Sequence, residues 1–152
     1  MKRKKKVAYR KVPPLNPNKV IDDAKDIEDW FAAFANAVSY FEHYGYWAII
    51  LYCYREKVQL TEKARNSLKR LSAANICLLL RILKLTDNEA YSSMRKIIEE
   101  RSNLVHPSRK GIRYRDKKKR DNAVMLLNQA KECIEKIKST IKSTKAKKGN
   151  KP

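Results

Sequence analysis

A chain of 152 residues with 43% hydrophobic residues, only three Gly and five Pro is long and apolar enough for one folded domain, which excludes a disordered polymer. No apolar run approaches the roughly 20 residues that cross a bilayer, no apolar core follows the charged N-terminus as a secretion signal requires, and Cys53, Cys77 and Cys133 are an odd, widely spaced set with no C-x-x-C and no His nearby, so neither a disulfide framework nor a zinc site is expected. The net charge of +20 is uneven: residues 1–19 hold eight Lys/Arg and no acid, residues 20–106 hold twelve of each sign, and residues 107–152 hold sixteen basic against four acidic groups.

Residues 1–19 read as a flexible basic arm, because Pro13, Pro14 and Pro17 oppose a helix. From Val20 the pattern turns helical. Asp22, Asp23, Asp26, Glu28 and Asp29 load the start with acid, and Ile27, Trp30, Phe31, Phe34, Val38 and Phe41 recur every three or four residues. Gly45 is expected to close that helix. A second, very apolar helix follows over Tyr46–Lys57, and a third opens at Thr61 with the stripe Ala64, Leu68, Leu71, Ala74, Leu78 and Ile82.

Thr86 and Glu89 form a capping-box pattern for a fourth helix that ends before Pro107. A basic loop over 108–120 leads into a fifth helix carrying Ala123, Leu126, Leu127, Ala130, Cys133, Ile134 and Ile137, and residues 144–152 read as a disordered Lys-rich tail. The expectation is an all-α, up-and-down bundle of about five helices over residues 20–143. Each Cys lies in an apolar helical context, so reduced thiols and a cytoplasmic location are expected.

A neutral body with basic ends suits a polyanionic partner, since neutralising phosphates releases counterions. Arg109, Lys110, Arg113, Arg115, Lys117 and Lys118 are candidates to track an RNA backbone, with Tyr114 stacking on bases or covering apolar surface. The basic tails lack a paired apolar face, so a membrane partner is not expected.

Arg101 is the residue that breaks its local pattern. Met94, Ile98, Arg101 and Val105 step by four, three and four, which places a guanidinium on an apolar helix face. The alternative is that Arg101 lays its stem over the stripe and pairs with Glu99 or Glu62. His106 is five residues on, and Pro107 steers it out of the helical region, which leaves it free to turn toward Arg101. Together they suit RNA cleavage with no metal or cofactor. A base takes the 2′-hydroxyl proton, the oxygen attacks phosphorus, and an acid protonates the leaving 5′-oxygen. Arg101 would hold the phosphate and His106 would carry the protons. Ser102 and Asn103 are polar groups placed to orient either one. His43 lies in an apolar segment, so two proton transfers call for the His106 of each subunit of a two-fold dimer.

The run Arg101-Ser102-Asn103-Leu104-Val105-His106 resembles the signature of the HEPN superfamily of small helical ribonucleases and toxins: Arg, four to six residues, then His. The resemblance extends in helix order and apolar pattern over roughly residues 20–143, with only the short motif specific. It implies a helical bundle, a homodimer with both motifs at the interface, and metal-independent endoribonuclease activity. It also implies a toxin or antiviral effector role, with an antitoxin or nucleotidyltransferase among the partners. Many members carry Asn, Asp or His directly after the Arg, where this chain has Ser102, with Asn103 one place later. Some toxins carry a modified Tyr two places after the His; here that position is Ser108, and that modification is not expected. The competing reading is a nucleic-acid-binding helical protein without catalysis.

Overall fold

Asn16 starts the first helix earlier than the proline content suggests. Its side chain accepts the Asn18 amide at 3.1 Å, and Pro17 occupies the first turn, where a missing N–H costs nothing. The computed structural model describes residues 16–105 and 114–149, with side chains as far as Lys145. Within them the chain is all-helical, with no strand: α1 (Pro17–Asp26), α2 (Trp30–Arg55), α3 (Glu62–Lys69), α4 (Ala73–Ile82), α5 (Asn88–Val105) and α6 (Lys117–Gly149). Among the described residues no helix is long and apolar enough to cross a membrane.

The boundaries differ from the expected ones for local reasons. The continuous helix expected from Val20 to Gly45 breaks at Ile27–Asp29. There Glu28 takes a positive φ of 58°, and the Asp29 carboxylate accepts the Ala32 amide at 3.0 Å to cap α2. Ile27, placed by its spacing on the apolar stripe, is 76% exposed. The third expected helix also breaks, at Arg70–Ser72, where Ser72 caps α4 through the Asn75 amide. That break rotates the apolar face. Ala73, Ile76, Cys77 and Leu80 are buried, whereas Leu78 and Ile82 from the expected stripe are exposed. Asp87, not Thr86, caps α5 by accepting the Ala90 amide at 2.7 Å. The expected tail from residue 144 is helical to Gly149, since Lys, Ala and Thr leave the helix unbroken and Thr144 lies beside the end of α2.

Gly45 does not end a helix. It lies buried in the middle of α2, where a Cβ would run into Cγ2 of Ile76 and come within 3.2 Å of Cδ1 of Leu80. The glycine is there so that α4 can approach the α2 backbone. α2 packs against α1, α4, α5 and α6, and its buried residues, from Ala33 and Phe34 through Tyr40 and Phe41 to Ala48 and Ile49, lie on more than one face. The pairings Cys77–Met94, Ala90–Cys133 and Glu100–Tyr114 set α5 antiparallel to both α4 and α6. The contacts Trp30–Tyr114 and Tyr44–Lys138 set α6 in the same sense as α2. Asp22 of α1 is bridged by Lys131 of α6 at 2.8 Å, with Lys25 at 3.1 Å, which ties α1 across the bundle.

Three helices end on left-handed residues that are not glycine: Glu28 at φ 58°, Lys57 at 57° and Lys84 at 57°. Each is followed by an amide that closes the helix onto a carbonyl five residues back: Asp29 to Ala24, Val58 to Cys53 and Leu85 to Leu80, at 2.8–2.9 Å. The left-handed penalty of about 1–2 kcal/mol per residue exceeds the roughly 0.5–1 kcal/mol entropy cost of a glycine. Lys84→Gly is therefore expected to raise stability by about 0.5–1 kcal/mol in urea denaturation, with Lys84→Ala giving no comparable gain. Gly45→Ala is expected to destabilise by about 1–3 kcal/mol through overpacking, despite the better helix propensity of alanine. The Gly45→Ala/Ile76→Ala double variant should lose less than the two single losses combined; full additivity would show that Gly45 and Ile76 do not meet.

Candidate functional site

The last turns of α5 carry Arg101, and the observed stripe there is Ala90, Met94, Ile97 and Leu104, all buried. Arg101 falls in that row, four residues after Ile97 and three before Leu104. The flanking residues expected from spacing were different: Ile98 is half-buried and Val105 is 51% exposed. Arg101 itself is half-buried. Among the described residues no hydrogen bond or ion pair holds its guanidinium, so neither Glu99 nor Glu62 takes the partner's place.

The charge that does answer Arg101 comes from α2. Glu42 is half-buried, and burial raises its pKa above the ordinary 4.5, opposed by the Arg101 charge and by the nearby Ala73 amide at the start of α4. Three helices therefore meet at one polar point inside apolar packing. Sequence reasoning missed Glu42. Its signal was the one that singled out Arg101: a charge in an apolar row, four residues after Val38 and three before Gly45. An Arg that is half-withdrawn from water beside a carboxylate, with no hydrogen bond from its donors among the described residues, is equipped to take an oxyanion in two N–H bonds.

The other predicted residues divide sharply. His106, Arg109, Lys110 and Arg113 lie outside the described residues. Ser102 is exposed, and its Oγ donates to the Ile98 carbonyl at 3.0 Å, so the hydroxyl turns back onto its own helix and not toward a ligand. Asn103 is half-buried. Tyr114 is not a platform for bases. It is 8% exposed, its ring stacks on Trp30 at 5.2 Å and 25°, and its hydroxyl donates to Glu100 at 2.6 Å. Of the two roles open to Tyr114 in the sequence, covering apolar surface is the one it takes. Arg120 donates to the Tyr114 and Arg115 carbonyls at 2.8 and 3.0 Å and clamps the start of α6. Arg115, Lys117 and Lys118 are exposed and able to meet phosphates.

His43 is half-buried, meets the Tyr44 ring edge-on at 5.2 Å, and is pushed below its ordinary pKa by burial, which keeps it neutral. The cysteines are free thiols. Burial pushes Cys77 up to about 12 and Cys133 up to about 11, so both stay protonated and inert in the core.

Removing the Arg101 charge should push Glu42 further up, readable in Arg101→Met by carboxyl-carbon NMR titration. The sign for stability follows from linkage. A carboxyl raised by the fold favours the folded state while protonated, and the penalty develops as pH rises from the unfolded value near 4.5 through the folded one. Arg101→Met should therefore lose more stability than wild type across that rise; an unchanged Glu42 titration would show that the two charges do not interact. No protein-family model, curated protein or solved structure matches this chain.

Proposed function

We propose that this protein is a metal-independent endoribonuclease of the HEPN type that works as a homodimer. The observation that carries the reading is Arg101: a half-buried guanidinium in an apolar row, with no direct partner among the described residues and a carboxylate behind it. Arg101 binds the scissile phosphate and stabilises the charge that grows on its oxygens. His106 of one subunit removes the 2′-hydroxyl proton, and His106 of the other protonates the departing 5′-oxygen. The bond from phosphorus to the 2′-oxygen forms as that to the 5′-oxygen breaks, which leaves a 2′,3′-cyclic phosphate and a 5′-hydroxyl. Exposed Arg115, Lys117 and Lys118 supply sequence-independent affinity for the strand. Such an enzyme would act as a toxin or antiviral effector, restrained by an antitoxin-like partner.

The competing reading is an RNA-binding protein without catalysis, favoured by the same exposed cations and by Ser102 being turned away from any substrate. One assay separates them. Purified protein in EDTA is incubated with RNA beside Arg101→Ala and His106→Ala. Cleavage to cyclic-phosphate ends, lowered about 10²–10³-fold by Arg101→Ala and about 10²–10⁴-fold by His106→Ala, supports the enzyme. Binding with no cleavage, or cleavage indifferent to both variants, overturns it.

A further inference from the structure

At the other end of α2, about 36 Å along the helix from Trp30, a groove of about 890 Å³ opens between the end of α2, the 56–61 segment, the start of α3 and the last turns of α6. Leu51, Val58 and Leu60 give it an apolar lining, and the Tyr54 ring beside them is 63% exposed. Arg55, Lys57, Arg65 and Lys145 surround it, and no lining residue is acidic.

A local explanation covers only half of these charges. Arg55 and Lys57 sit at the C-terminus of α2, where cations complement the helix dipole. Arg55 is also spent in part, with Nε on Glu56 at 2.8 Å and the guanidinium 5.2 Å from the Tyr52 ring centre. Arg65 and Lys145 come from other helices and have no such reason to be there. Arg65 donates from Nε and Nη2 to the Leu60 carbonyl at 3.4 and 3.3 Å, which orients its side chain beside the groove. Four cations from three segments, the end of α2, α3 and α6, converge beside one exposed aromatic ring.

We infer that this groove binds a short stretch of single-stranded RNA, with Tyr54 stacking on a base while Arg65, Lys57 and Lys145 hold the neighbouring phosphates. The chemistry selects this occupant. An aromatic face among cations is the recurring platform for unpaired bases, and the volume matches sites of roughly 300–1,000 Å³ that take small ligands, a few nucleotide units and not a duplex. A concave site also disfavours a flat lipid surface. The choice of RNA over DNA rests on the proposed activity; the binding does not.

The test uses the full chain and a fluorescent 2′-O-methyl oligouridine, which cannot be cleaved by 2′-hydroxyl attack. Tyr54→Ala should weaken binding about tenfold, and Tyr54→Phe should stay within about twofold, since stacking needs the ring and not the hydroxyl. Lys57→Ala/Arg65→Ala/Lys145→Ala should flatten the salt slope by about 2, at roughly 0.7 for each phosphate no longer neutralised. A 4-thiouridine strand should crosslink to Tyr54 in the unaltered protein, a readout that no variant's folding can disturb. No crosslink at Tyr54, or affinity and slope unchanged in these variants, overturns the groove. So does a result in which they lose only binding to polyglutamate or to phosphatidylserine vesicles. Intact groove binding with no cleavage of ordinary RNA would sink the proposed enzyme and leave the groove standing.

Discussion

The approach of α4 to α2 over Gly45 is the contact on which the rest of the bundle depends. Ile76 and Leu80 occupy the space that a side chain on residue 45 would fill. With α4 held that close, the Ala73 amide reaches Glu42, and the α4–α5 hairpin swings Arg101 toward the same carboxylate. A helix buried on several faces has little room for polar groups. The one carboxylate in the middle of α2 is held by a helix start and an arginine, each from a different neighbour.

The class of the fold was readable because apolar residues recur at helical spacing almost throughout and breakers are few. The helix ends were not, because the residues that stop a helix do so only in context. Glu28, Lys57 and Lys84 take left-handed conformations that the sequence would assign to glycine, while Gly45, in mid-helix, is a packing site. A spacing rule also carries its phase through a break unaware. Leu78 and Ile82 belonged to the stripe counted from Thr61, and the turn at Arg70–Ser72 rotated them to the surface.

Arg101 was legible for a sound reason and with the wrong neighbours. The misfit of a guanidinium in an apolar row survives in the structure, although the row runs through Ile97 and Leu104 and not through Ile98 and Val105. Glu42 carried the matching signal and was passed over, because a misfit counts most when a second misfit of opposite charge is sought on another helix. Tyr114 shows the opposite failure. An aromatic among basic residues reads as a base platform, but burial is decided by what stands opposite, here Trp30 and Glu100, far away in the sequence. The groove at Tyr54 was invisible from the sequence, since its cations lie up to 90 residues apart.

The common direction of α2 and α6 has a consequence for how the chain reaches this state. Two neighbouring helices that run the same way cannot be joined by a tight turn, and here the whole α3–α4–α5 segment intervenes. The α4–α5 hairpin can form from nearby contacts, whereas α6 must close a long loop before Leu127, Ile134 and Ile137 find their places. During synthesis the apolar side of α2 that α6 covers stays open until the ribosome has made nearly all of these helices. That interval, and not the finished bundle, is when the chain is most exposed to aggregation.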